Sequence, residues 1–163
     1  MIEYMSKPFS EEESLESLNT FVREWFVKNF KGLTPPQRFA FKLIHERHNV
    51  LITAPTGSGK TLSAFLSIIS NLFDYSMAGK LEDKVYCIYV SPLRALNNDI
   101  YKNLAKPLEE IYQSIASKKG SEQLKKVTIA VRTGDTTQKE RRDQLAKPPN
   151  ILVTTPESLA IIL

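Results

Sequence analysis

Eight consecutive residues, Ala54-Pro55-Thr56-Gly57-Ser58-Gly59-Lys60-Thr61, have the types and spacing needed to hold a chain of phosphates. Gly57 and Gly59 let backbone N–H groups curl around phosphate oxygens, Lys60 brings a mobile cation to the outer phosphates, and Thr61 offers a hydroxyl to Mg²⁺. A helix opening at Lys60 adds the positive end of its dipole. Ala54 stands where the strict pattern has glycine. A glycine-rich hairpin can carry similar letters, so the surroundings decide. Val50 to Ala54 reads as a short apolar strand before the loop. After it, Leu62, Phe65, Leu66, Ile69, Leu72 and Phe73 recur at helical spacing and predict a helix from Lys60 to about Met77. Strand, loop and helix in that order is the context a phosphate cradle requires, so the segment reads as nucleotide-binding.

The elements around this loop alternate in kind. Ser10 with Glu13 is a capping-box pair, and Leu15, Leu18, Phe21, Val22, Trp25 and Phe26 then predict one amphipathic helix. Gly32 ends that region. Thr34 and Pro35 open a helix with Phe39, Ala40, Leu43 and Ile44 on its apolar face. Val85 to Val90, Val127 to Val131 and Ile151 to Val153 read as three further strands. Between the first two, Leu93 to Ile115 traces a long helix kinked at Pro107. Between the last two lies a short polar helix near residues 137–146. The strands are near-continuous Val/Ile/Leu runs, which predicts burial on both faces, and their alternation with helices predicts an α/β fold with a parallel sheet flanked by helices.

Composition narrows the class. The chain has 163 residues, 42% hydrophobic and 25% charged, the profile of one ordinary folded domain. No apolar run is long enough to span a membrane and no basic-then-apolar leader opens the chain, so no membrane partner and a cytoplasmic location are expected. The single Cys87 sits inside an apolar run and reads as a buried small hydrophobe. His45 and His48 are spaced by three, with no third ligand evident, and read as helix surface rather than a metal pair. Residues 118–147 hold nine Lys/Arg against four acids. That excess fits either a solvated face or a surface turned toward nucleic-acid phosphates.

Four further motifs, in order, make the pattern specific. With the loop, they are Leu33-Thr34-Pro35-Pro36-Gln37, Ser91-Pro92-Leu93-Arg94-Ala95-Leu96-Asn97-Asn98-Asp99, Thr133-Gly134-Asp135-Thr136 and Thr154-Thr155-Pro156-Glu157-Ser158-Leu159. Together these resemble superfamily 2 helicases, and most closely the large helicase-related (Lhr) family, from about Trp25 to Leu163. The resemblance implies a P-loop, RecA-like first motor domain that binds ATP and Mg²⁺ through Pro55, Thr56, Gly57, Ser58, Gly59, Lys60 and Thr61, the last as the Mg²⁺ anchor. It implies that Lys60 and Thr61 are the catalytic residues, and that Gln37 recognises adenine. It further implies that Ser91, Pro92, Arg94, Thr133, Gly134, Asp135, Thr155, Pro156 and Glu157 grip the backbone of a single strand, DNA rather than RNA. Residues 1–34 are then a helical extension and residues 35–163 a partial RecA-like domain.

Each reading has a plainer rival in the residues themselves. Thr34-x-x-Gln37 is also a capping box, and physics alone favours the cap over adenine. Ser91-Pro92, Asp135-Thr136 and Thr155-Pro156 each follow a strand and can cap the next helix, as any such turn needs. Caps alone do not explain why all three stand past the C-terminal ends of strands in one sheet, where open α/β folds bind ligands, nor why Arg94 and Arg132 accompany them. No apolar strand here ends in Asp-Glu, the acid pair that holds Mg²⁺ in a hydrolysing motor. The resemblance places that pair, and a second lobe with arginine fingers, after Leu163. The expectation is therefore an incomplete domain, inactive in hydrolysis alone, whose partner is the remainder of a longer chain. Two alternatives stand beside it: an RNA helicase of the DEAD-box group, which usually has Pro-Thr-Arg-Glu-Leu where this chain has Ser91-Pro92-Leu93-Arg94-Ala95, and a non-catalytic nucleotide-binding module.

Overall fold

The Ser10 hydroxyl accepts the Glu13 N–H at 3.1 Å and the Glu13 carboxylate accepts the Ser10 N–H at 2.9 Å, so the predicted capping box does start the first helix, α1 (Glu11–Glu16). The computed structural model describes residues 3–92, 94–120 and 124–163, with the side chains of all these except 94–99 and 102. Its contacts divide the chain into two units, Met1–Asp74 and Tyr75–Leu163.

In the first unit, the amphipathic run expected to form one helix forms two. α1 stops at Glu16 and α2 spans Thr20–Asn29, with Asn19 as its N-cap. The Asn19 side chain accepts the Phe21 N–H at 2.9 Å, its own N–H donates to Ser70 Oγ at 2.6 Å, and its amide donates to Asp74 at 2.5 Å. Three bonds at one asparagine outweigh the unbroken apolar periodicity, because a cap needs non-helical backbone at that residue. α3 (Pro35–His45) and α4 (Lys60–Met77) follow. Phe26, Phe41, Phe65, Leu66 and Phe73 are fully buried, with Phe26 and Phe41 edge-to-face at 6.0 Å.

Val50–Ala54 does not form the expected strand. A strand exists only where its backbone pairs with a neighbour, and this segment pairs with none among the described residues; Leu51 is 93% exposed.

The second unit is a parallel α/β layer. β1 (Cys87–Val90), β2 (Ile129–Arg132) and β3 (Ile151–Thr154) form a sheet in the order β1-β3-β2, linked by α5 (Arg94–Lys119) and α6 (Gln138–Ala146), and α7 (Pro156–Ile162) follows β3. The predicted parallel sheet flanked by helices is therefore present. Only the central strand β3 is buried along its whole length. β1 exposes Ile88 and Val90, because an outer strand is covered less than a central one. α5 continues through Pro107, which removes the N–H that would have bonded to the carbonyl of Asn103. Leu93 lies outside the described residues.

Asn150 holds the start of the sheet together. Fully buried, it accepts from the Thr128 N–H at 3.0 Å and donates to the carbonyls of Glu82 at 2.9 Å and Lys84 at 3.2 Å. Its own carbonyl accepts from Tyr86 and Cys87. One amide thus satisfies polar groups on both sides of β3, which a buried backbone requires.

Candidate nucleotide and nucleic-acid site

The phosphate loop has the backbone its glycines predict. Gly57 and Gly59 adopt φ of 76° and 84°, the left-handed region that side chains rarely enter. α4 begins immediately at Lys60, and the Ser63 N–H and hydroxyl both bond to the Gly59 carbonyl, at 2.9 and 3.0 Å. The Lys60 ammonium lies over the loop, donating to the carbonyls of Ala54 and Pro55, the latter at 2.6 Å. Thr61 is exposed in the first turn of α4. The Ser58 hydroxyl is buried with no hydrogen-bond partner among the described residues.

The N-terminus of α3 abuts this loop. Gln37 is 2% exposed; its Oε1 accepts the Thr34 N–H at 2.8 Å, so the predicted cap is real. The other arm of the capping box is not made, and the Thr34 hydroxyl is buried without a partner among the described residues. The Gln37 amide nitrogen and the Thr34 hydroxyl instead lie against Gly59: a Cβ there would come within 3.0 and 3.1 Å of them. The cap uses the Gln37 oxygen and leaves its amide nitrogen beside the loop.

The three remaining motifs converge as the sheet register requires. Val90, Thr154 and Arg132 are aligned across the parallel strands, so Ser91, Thr155 and Thr133 follow at one edge. Ser91, Thr133 and Thr155 are buried there, with the Ser91 N–H extending the ladder to the Thr154 carbonyl at 3.0 Å. A cleft of ≈ 450 Å³ is lined by Pro92, Gly134, Thr155, Glu157, Ser158 and Ile161, drawn from all three motifs. Thr155 caps α7, its hydroxyl accepting the Ser158 N–H at 3.4 Å, with Pro156 in the first turn as expected.

Several expectations change. Asp135-Thr136 does not cap α6; Thr137 does, because Glu140 completes a capping box there. Thr136 serves the turn instead, its hydroxyl accepting the Thr133 N–H at 2.8 Å. Arg132 lines a different cavity, with Val85, Gln144 and Leu152. The Arg94 side chain lies outside the described residues. Much of the basic segment is already engaged: Lys125 pairs with Asp83 at 2.8 Å, Lys126 with Glu109 at 2.5 Å, and Arg141 bonds to three carbonyls. Counting charges missed this, and it also missed Ser158 and Thr34 as lining residues, although both sit inside the quoted motifs.

Cys87 is half-buried rather than fully buried as expected, because it lies in the outer strand β1; desolvation still pushes its thiol up to about 11. No group of His, Cys, Asp and Glu able to hold a metal ion occurs among the described residues, and none of their helices is long and apolar enough to cross a membrane.

Residues 34–163 match the family model for DEAD/DEAH box helicases. The chain belongs to that family. Membership implies ATP binding. The chain is 57% identical, over 99% of its length, to the ATP-dependent helicase Lhr-Core of Methanocaldococcus jannaschii, of which it spans 19%. Among solved structures, the Mycobacterium smegmatis helicase Lhr bound to ssDNA and AMP-PNP matches with a TM-score of 0.80 and 42% identity, covering 91% of this chain and 18% of that one. DEAD-box helicase Mss116 bound to ssRNA and UDP-BeF matches with a TM-score of 0.76 at 23% identity, over 99% of this chain and 31% of that one, which shows a shared RecA-like fold. The chain spans about a fifth or less of the length of the curated relatives it matches.

Proposed function

We propose that this chain is the ATP-gripping part of an Lhr-type, ATP-dependent nucleic-acid helicase or translocase, acting on a single strand of DNA. The observation that carries the reading is the phosphate loop: two left-handed glycines, a lysine and a helix start, with Gly59 packed tightly against Gln37. That cradle fits a nucleotide. Backbone N–H groups of Thr56 to Gly59 and the Lys60 ammonium suit phosphate oxygens, Pro55 shapes the entry, and the buried Ser58 hydroxyl retains an unused hydrogen bond. The Gln37 amide presents a donor toward adenine. Thr61 supplies the hard oxygen ligand that Mg²⁺ prefers, and the ion neutralises phosphate charge when bound.

The cleft beyond the strand ends is the strand-binding surface in this reading. Ser91, Pro92, Thr133, Gly134, Asp135, Thr155, Pro156 and Glu157 border it or its turns, and Arg94 opens the adjoining helix α5. Hydroxyls, turn amides and a helix N-terminus hold phosphates without reading bases, so binding is independent of sequence. DNA is favoured because the 42%-identical Lhr structure holds ssDNA. Residues 1–34 act as a helical extension and 35–163 as part of the motor domain, which works in the cytoplasm together with the remainder of a longer chain.

Calorimetric titration with ATP, ADP and GTP, repeated on Lys60→Ala, tests the reading. ATP and ADP should bind, GTP more weakly, and the variant should bind none of them well. Nucleotide binding that survives loss of Lys60 would place the site elsewhere.

A further inference from the structure

Arg141 lies in the basic segment, where by charge alone it is one more cation for a phosphate. Its bonds say otherwise. α6 is fixed at its start by the Thr137 capping box, with the Glu140 carboxylate, held below its usual range by those Thr137 bonds, accepting the Thr137 N–H at 2.8 Å. One residue on, Arg141 reaches back: Nε donates to the Thr136 carbonyl at 3.0 Å, and Nη2 to the carbonyls of Thr133 and Gly134, both at 3.4 Å. Inside the turn, the Thr133 N–H donates to Thr136 Oγ1 at 2.8 Å and the Asp135 N–H to Thr133 Oγ1 at 3.4 Å. The guanidinium therefore closes a turn whose Gly134 lines the cleft.

We propose that Arg141 is a positioning residue that fixes the Thr133–Thr136 turn for single-strand binding by hydrogen bonding to its carbonyls, not by neutralising a phosphate. The inference rests on the reading of the cleft given above. Only a planar fork reaches carbonyls on both sides of the turn; a lysine ammonium is a point donor. Charge conservation should therefore fail to rescue.

The test uses the protein at its natural length, with Arg141→Lys, Arg141→Gln, the exposed Arg142→Gln for comparison, and Thr155→Val as an independent probe of the cleft. Affinity for oligothymidylate is measured across a KCl series, and amide exchange is followed in the peptide holding residues 133–137. Both Arg141 variants should lose protection in that peptide and bind about five- to tenfold more weakly at an unchanged salt slope, with global melting little moved. Arg142→Gln, at an exposed residue that makes no bond to the turn among the described residues, should keep protection in that peptide. Rescue by lysine, or a slope reduced by about one on loss of Arg141 with protection intact, would identify a phosphate contact and overturn the proposal. Unchanged protection with unchanged affinity would overturn it too. Lost protection with full affinity would remove the turn from the interface; the cleft reading itself falls only if Thr155→Val is also without effect.

Discussion

Gln37 and Gly59 are in tight contact: a Cβ on Gly59 would stand 3.0 Å from the Gln37 amide nitrogen and 3.1 Å from the Thr34 hydroxyl, so these side chains would have to give by a few tenths of an ångström to admit it. Gly57, equally left-handed at φ 76°, has nothing within 4 Å of the same position. The two glycines therefore separate backbone strain from crowding. Gly57→Ala should cost about 1 kcal/mol of stability and Gly59→Ala about 2–3, with nucleotide binding lost only in the second. Urea unfolding and calorimetry check this, and equal costs at both sites would contradict the observed packing.

Gln37→Glu divides the two roles of this side chain. A glutamate at the third helical position still accepts the Thr34 N–H, so helix stability should hold or rise slightly. It cannot donate an amide hydrogen, so the preference for ATP over GTP should collapse toward unity. An ATP-to-GTP affinity ratio that stays at its original value would leave Gln37 as a cap alone.

Lys60→Ala removes a charge-assisted donor from the phosphate loop. Affinity should fall about tenfold or more for ATP and ADP alike, because the lysine and the loop amides meet phosphates present in both. Fluorescent-nucleotide competition measures it. A loss confined to ATP would move Lys60 away from the phosphates that both nucleotides carry.

Asn150→Ala should destabilise the sheet by about 2–3 kcal/mol, since Thr128, Glu82 and Lys84 together lose bonds to this buried side chain. Denaturant unfolding reports the loss. A change below about 0.5 kcal/mol would be in the range of an ordinary surface substitution and would mean that water replaces the amide.

Cys87, with its thiol pushed up to about 11 from an ordinary 9.0, should be alkylated far more slowly in the native protein than in urea at pH 8. The folded state favours the neutral thiol. Its contribution to stability is therefore complete below pH 9 and is lost as pH rises from about 9 toward 11. Equal labelling rates in the two states would show that the residue is not protected.

What the chain wrote locally, it wrote legibly. The left-handed backbone at Gly57 and Gly59, the Ser10/Glu13 capping box, the Gln37 side chain capping Thr34, the helix to Met77 and the parallel sheet all follow from residue types a few positions apart, because glycine conformation, capping and side-chain period are short-range effects. Tertiary structure decided what depends on a distant partner. Asn19 splits a periodic helix because Ser70 and Asp74 bind it, and Val50–Ala54, apolar enough for a strand, is not one because no neighbour pairs with it among the described residues. Arg141 shows the same division at the candidate site: its charge is plain in the sequence, but its role depends on three carbonyls that only the folded turn brings within reach.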